Sequence, residues 1–228
     1  MTCIWITRSE PGASRLEGVL TGAGFQSIKA PVLTTEMVKE PAPSGVFDVT
    51  VFVSEHAVKH ALRRNWRAVG PVLAVGEATA DALRSKELEI LQAARASSEG
   101  ILELLEEQYP NADSVLIVAG ADGRTDLAKW LTGKGIRVST WITYRRVMLE
   151  PIVDLGACDV VVASSADALS RIAELCFAHS SFDMGQGQLP VLVPSNRAAK
   201  VAASFGFKNI VNSNGADPRS VVATLNRL

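Results

Sequence analysis

The sequence is short of the features that most directly name a chemistry. It has three cysteines, Cys3, Cys158 and Cys176, an odd set without CxxC spacing, which argues against a disulfide framework or a zinc site and fits a reducing compartment. No run approaches the ~20 apolar residues of a membrane span, and the opening MTCIWITRSEPG lacks the basic lead of a secretion signal. A cytoplasmic protein with no membrane partner is expected. Neither sign of charge dominates: 23 basic and 24 acidic side chains give a formal net charge of −1, so no global positive field attracts nucleic acid. Any anionic ligand must be held by local donors.

Signatures of common active sites are missing too. No GxSxG surrounds Ser54, Ser164 or Ser165. The glycines of Gly120-Ala121-Asp122-Gly123-Arg124 and the single Gly76 make neither a dinucleotide fingerprint nor a phosphate loop. His56 and His60 stand at i and i+4, the spacing of a metal-binding helix face, but no HExxH accompanies them and the other histidine, His179, lies in a polar stretch. Neither a metal nor an organic cofactor is expected.

What is there is a globular composition, 47% hydrophobic and 21% charged over 228 residues, with room for one large or two small domains. Short valine- and isoleucine-rich runs alternate with amphipathic stretches. The runs predict strands at Cys3 to Ile6, Val49 to Val53, Val72 to Val75, Val115 to Val118, Val160 to Ala163 and Val191 to Val193. Each is followed by a small or polar residue and a helical pattern, which gives a doubly wound α/β class.

The chain also resembles itself. GASRLEGVLTGAGF from Gly12 returns 111 residues later as GRTDLAKWLTGKGI from Gly123, and Asp48-VTVFVSEHAV falls on Asp159-VVVASSADAL at the same shift. PVLAVGEATADAL from Pro71 lies over PVLVPSNRAAKVA from Pro190 at 119, and SEGILELL from Ser98 over PRSVVATL from Pro218 at 120. The change of shift calls for about eight extra residues in the second half, and the polar HSSFDMGQGQ from His179 is expected to be that surface loop. Leucines at i and i+4 before a glycine are generic to α/β helices, but several matches in one order indicate duplication. Two proline-bounded segments outside the repeat, from Ala30 to Ser44 and from Ile142 to Pro151, are expected to cross between domains.

Strand ends that open into helices are the candidate binding positions: Thr7, Ser54, Gly76 with Thr79, Gly120, Ser164 with Ser165, and Ser195 with Asn196. Helix capping explains hydroxyls there. In a parallel sheet the same positions gather exposed amides on one edge, where carboxylates and phosphates bind. Arg8, Arg124 and Arg197 fall in these loops or first turns and suit bidentate contact with carboxylate. Tyr144 differs, because the 111-residue shift pairs it with Leu33. It is read either as packing for a hinge at the lip of a cleft or as a phenol able to give a proton to a leaving group.

In order along nearly the whole chain, several elements resemble the uroporphyrinogen-III synthase family. They are Thr7-Arg8 with Leu16, Leu20 and Gly24; Val51-Phe52-Val53-Ser54; Ala74-Val75-Gly76-Glu77-Ala78-Thr79-Ala80; Ser98-Glu99-Gly100; Gly120 to Gly135; Tyr144-Arg145; and Ser164-Ser165. Val53 and Pro194-Ser195-Asn196-Arg197 depart from the family's usual threonine and glycine-threonine pattern. The resemblance implies two similar doubly wound parallel-sheet domains joined by a two-stranded crossing, with the active-site cleft between them. Residues 1–35 plus 151–228 would form domain one and 36–150 an inserted domain two, with linkers near 31–43 and 142–151.

It also implies the reaction. Hydroxymethylbilane, a linear tetrapyrrole with eight carboxylates, loses its hydroxyl, inverts its last pyrrole ring through a spiro intermediate, and closes to uroporphyrinogen III with net loss of one water. Tyr144 is then the expected catalytic residue. Arg8, Ser54, Thr79, Gly120, Arg124, Ser164, Ser165, Ser195 and Arg197 are the expected substrate-binding set, with no metal or cofactor. A monomer is the default, with room for transient contact with hydroxymethylbilane synthase. The other readings are a non-enzymatic two-domain sensor of a small polyanion and a nucleotide- or sugar-phosphate-using transferase, the latter lacking a phosphate loop or paired metal carboxylates.

Overall fold

The alternating runs become strands and helices in the computed structural model, which describes residues 2–84, 89–123, 125–178 and 189–228. In chain order, β1 (Cys3–Ile6), α1 (Gly12–Gly22) and β2 (Gln26–Lys29) precede β3 (Leu33–Met37). Next come β4 (Val49–Phe52), α2 (Glu55–Leu62), β5 (Val72–Ala74), α3 (Glu77–Arg84), β6 (Ile90–Gln92), α4 (Ser98–Gln108), β7 (Ser114–Gly120), α5 (Asp126–Gly133) and β8 (Arg137–Met148). The remaining elements are β9 (Val160–Val162), α6 (Ala166–Ala178), β10 (Val191–Val193), α7 (Asn196–Ser204), β11 (Ile210–Asn212) and α8 (Pro218–Leu225).

The chain separates into two units, residues 1–34 with 147–228, and residues 35–146. The first sheet has the order β11-β10-β9-β1-β2 and the second β3-β8-β7-β4-β5-β6. A shift of 111 residues carries β1 onto β7, β2 onto the start of β8 and β4 onto β9, while shifts of 119 and 120 carry β5 onto β10 and β6 onto β11. Under that mapping the two sheets have one strand order, with β3 added to the second. The chain path is permuted, since the βαβ segment that opens the first unit corresponds to the one that closes the second.

Each sheet is covered on both faces of its parallel strands, which is why its central strands read as continuous apolar runs. In the first unit, Ile4 and Ile6 of β1 pack with α1 and α8 through Leu16, Leu20, Val221 and Leu225, while Trp5 faces α6 and α7. In the second, Val49 and Val51 of β4 pack with α4 and α5, while Phe52 faces α2 and α3. The duplication extends to detail. Gly24 and Gly135 each follow their helix at φ +84°, a left-handed conformation costly for any residue with a Cβ. Asp48 accepts the N–H and hydroxyl of Ser114 at 2.9 Å, and its repeat partner Asp159 accepts the N–H of Cys3 at 2.7 Å.

The strands that the apolar runs do not announce are β2, β3, β6, β8 and β11. Four of these lie at sheet edges, where one side needs no partner and an apolar run is not required. β8 is longer than any other, and its second half leaves the parallel pattern to pair with β3. Val38 N–H donates to the Thr143 carbonyl and Leu149 N–H to the Val32 carbonyl, so residue numbers fall on one strand as they rise on the other, an antiparallel pair.

Candidate functional site

In both sheets the strand order reverses beside the strand on which the chain returns: between β4 and β7 in the second unit, and between β9 and β1 in the first. The carboxyl ends of strands at such a point form the usual ligand crevice of an open α/β sheet. Ser54 and Gly120 stand there in the second unit, and Arg8, Ser164 and Ser165 in the first.

In the second unit Ser54 is the N-cap of α2, its Oγ accepting the Ala57 N–H at 3.1 Å. The same oxygen lies 3.0 Å from Tyr144 Oη. Tyr144 is 4% exposed, a buried ring rather than the lip residue its place in a crossing segment suggested. The cause is a bulge. Ala119 pairs with Ile142 but Gly120 with Tyr144, so Thr143 is an extra residue on β8, its hydroxyl donating to the Ala119 carbonyl at 3.2 Å. Side chains alternate along a strand, so Trp141 and Tyr144, three apart, would face opposite ways; the bulge lets both join the cluster formed by α2 and α3.

Two histidines on one face of α2 receive the ring. His60 is nearly parallel to Tyr144, at 20° with centroids 5.7 Å apart, and His56 is tilted at 56° and 5.6 Å. His60 is 2% exposed, and its Nε2 is 3.0 Å from Thr35 Oγ1 on β3. Burial pushes the His56 imidazole from 6.5 down to about 4 against a smaller opposing effect of Glu55. Burial, with Lys59 and Arg63, also lowers His60. Both rings are therefore neutral near pH 7. The phenol ring also lies against Gly120, where a Cβ would stand 2.5 Å from Tyr144 Cζ. The i, i+4 spacing is the sequence's signal for this face, weighed there as a metal face and set aside; in the fold an aromatic ring lies beside both histidines.

Thr79 lies in the first turn of α3 and is 4% exposed. In the first unit, Ser165 Oγ accepts the Ala168 N–H at 3.2 Å, and Ser195, at the N-cap of α7, accepts that of Ala198 at 3.2 Å. Arg8 donates to the Ala216 carbonyl at 3.0 Å and shares a small pocket with Ser164 and Ser213. Arg197 is exposed on α7. Thr7, expected at a helix start, caps nothing: it is fully buried and donates its hydroxyl to the Val162 carbonyl at 2.7 Å, tying β1 to β9, while α1 begins without a side-chain cap. Arg124 and the stretch from His179 to Gln188 lie outside the described residues. Among the described residues no helix is long and apolar enough to cross a membrane.

Comparison with known proteins adds a consistent set of likenesses. The family model described as uroporphyrinogen-III synthase HemD matches residues 14–223. A uroporphyrinogen-III synthase of Escherichia coli (strain K12) is 26% identical over 97% of this chain and 99% of its own length. Among solved structures, uroporphyrinogen-III synthetase from Helicobacter pylori 26695 superposes with a TM-score of 0.60 at 17% identity, over 100% of both chains. A mutant uroporphyrinogen III synthase from the extremely thermophilic bacterium Thermus thermophilus gives 0.57 at 16%, again over 100% of both. At such identities these two structures speak for a shared fold.

Proposed function

The chain belongs to the uroporphyrinogen-III synthase family, and from that premise we propose that Tyr144, partnered by Ser54, supplies the proton with which the hydroxyl of hydroxymethylbilane departs. The enzyme is a cyclising lyase of tetrapyrrole biosynthesis. The observation that carries the assignment of Tyr144 is its 3.0 Å contact with Ser54 Oγ at the reversal of strand order, beside two imidazoles that burial keeps neutral.

As the C–O bond breaks, its electron pair leaves with the oxygen, and the phenol proton completes a molecule of water. With one acceptor site of Ser54 Oγ taken by the Ala57 N–H, the serine hydrogen is available to the phenolate, and the N-terminus of α2 adds its partial positive charge. Net loss of one water requires a second proton to leave the macrocycle, and the phenolate is the base that receives it. The larger task is conformational, because spontaneous closure gives the type I isomer and the protein must hold the chain for ring inversion.

Helix starts and arginines serve the substrate's carboxylates in this reading: Ser164, Ser165 and Arg8 at one reversal point, Ser195 and Arg197 beside it, and Thr79 and Arg124 in the second unit, where Gly120 at the end of β7 makes room for the Tyr144 ring. The reading extends to a monomer acting in the cytoplasm, with transient contact with hydroxymethylbilane synthase. Sedimentation of the two proteins alone and mixed tests that part.

Tyr144→Phe with fresh hydroxymethylbilane tests the proton donor. The rate should fall about a hundredfold and type I product should rise as spontaneous closure competes. Unchanged rate and isomer ratio remove the tyrosine from the mechanism.

A further inference from the structure

The duplication gives the tyrosine site an internal control. The shift that pairs Ser54 with Ser165 also pairs Tyr144 with Leu33, His56 with Asp167, His60 with Arg171 and Gly120 with Ser9. The first unit thus builds the same strand order without phenol, imidazole or glycine at those places. The architecture does not call for them. In the second unit all four meet.

We infer that Gly120 and His60 are positioning residues for the Tyr144 hydroxyl, an inference that rests on Tyr144 being the proton donor. Gly120 acts by what it lacks. A Cβ there would stand 2.5 Å from Cζ, 2.7 Å from Cε2 and 2.9 Å from Oη of Tyr144, so only glycine lets the ring lie against the end of β7. The ring has little room to retreat, because His56 and His60 occupy positions beside it.

His60 supplies a second support. Its ring is stacked on the phenol and fixed through Thr35, on the strand that pairs with β8, so the stack is anchored to the neighbour of the strand that carries Tyr144. Packing alone does not account for an imidazole here. His60 Nδ1 is buried without a hydrogen-bond partner among the described residues, a desolvation an apolar ring would avoid. The repeat partner Arg171 also ties its helix to a crossing segment, donating to the Leu149 carbonyl at 2.9 Å. The tether is therefore common to both units, and the aromatic stack belongs to the second.

The chain has two tyrosines, so Tyr109→Phe leaves Tyr144 as a single spectroscopic probe. In that background, protein labelled with ζ-13C tyrosine reports the phenol's surroundings without substrate. Gly120→Ala and His60→Gln should each move the Tyr144 resonance, lower kcat on hydroxymethylbilane about tenfold with KM within about twofold, and raise the share of type I product. His60→Phe, which keeps a flat ring and loses the tether, should recover only part of kcat. Combined with Tyr144→Phe, His60→Gln should add no further loss. A folded Gly120→Ala or His60→Gln protein with an unmoved resonance overturns the inference whatever its activity, as does additivity with Tyr144→Phe. A moved resonance with full activity, in a protein whose Tyr144→Phe variant is also fully active, overturns the proton-donor assignment instead.

Discussion

Ser54 Oγ accepts the Ala57 N–H at 3.1 Å while lying 3.0 Å from Tyr144 Oη, so one hydroxyl both starts a helix and partners the phenol. The two roles separate by substitution. Ser54→Ala should cost about 1 kcal/mol of stability through the lost cap and also slow the reaction. Ser54→Asp restores a cap but offers the phenolate no hydrogen. Denaturant unfolding should therefore show stability regained in the aspartate variant, while the rate stays low. Recovery of rate along with stability would assign Ser54 to the helix alone.

Acid should weaken the second unit through its histidines. Free imidazole titrates near 6.5 and His56 in the fold at about 4, so between those values the unfolded chain holds the proton and the folded chain does not. Stability from this source is complete above about pH 6.5 and is lost as pH falls toward about 4. By pH 5 the loss reaches about 2 kcal/mol before the discount that partial exposure of the ring requires. The lowered His60 acts in the same direction. Urea midpoints at pH 7.5 and 5, compared with those of His56→Gln, measure it; an equally steep fall in the variant would place the effect elsewhere.

The repeated glycines provide a matched pair. Gly24 and Gly135 share φ +84°, and a Cβ at either would meet nothing within 4 Å, so replacement by alanine is charged to backbone conformation alone. Each Ala variant should lose about 1–2 kcal/mol, nearly the same amount in both units. Thermal unfolding of the two single variants and the double variant checks equality and additivity. A large difference between them would mean that the turns, alike in shape, are not alike in energy.

Much of this protein is legible in its sequence because duplication writes each scaffold twice. Leu16 and Leu127, Leu20 and Leu131, and Gly24 and Gly135 fall on equivalent elements because burial against a two-sided sheet and a left-handed turn restrict which residues serve. Hydroxyls after the strands were readable as helix starts at Ser54, Ser165 and Ser195, since an N-cap is a local matter of one side chain and the next turn. Thr7 looked the same in sequence and behaves differently, because its oxygen is within reach of a carbonyl on β9, a strand more than a hundred residues away.

The tyrosine that stood out for breaking the repeat is where local reading stopped. Its number, its mismatch with Leu33 and its place in a crossing segment were all in the sequence. Its burial, its serine partner and the histidines beside it were not. They follow from one extra residue, Thr143, that turns Tyr144 to the α2 face, and from a glycine 24 positions earlier that leaves space for the ring. A bulge depends on the strand lying opposite, and a missing Cβ matters only when something distant arrives to fill its place. Composition and periodicity determined the buried apolar strands and the helices that cover them; the tertiary pairing of β7 with β8 decided where the phenol lies.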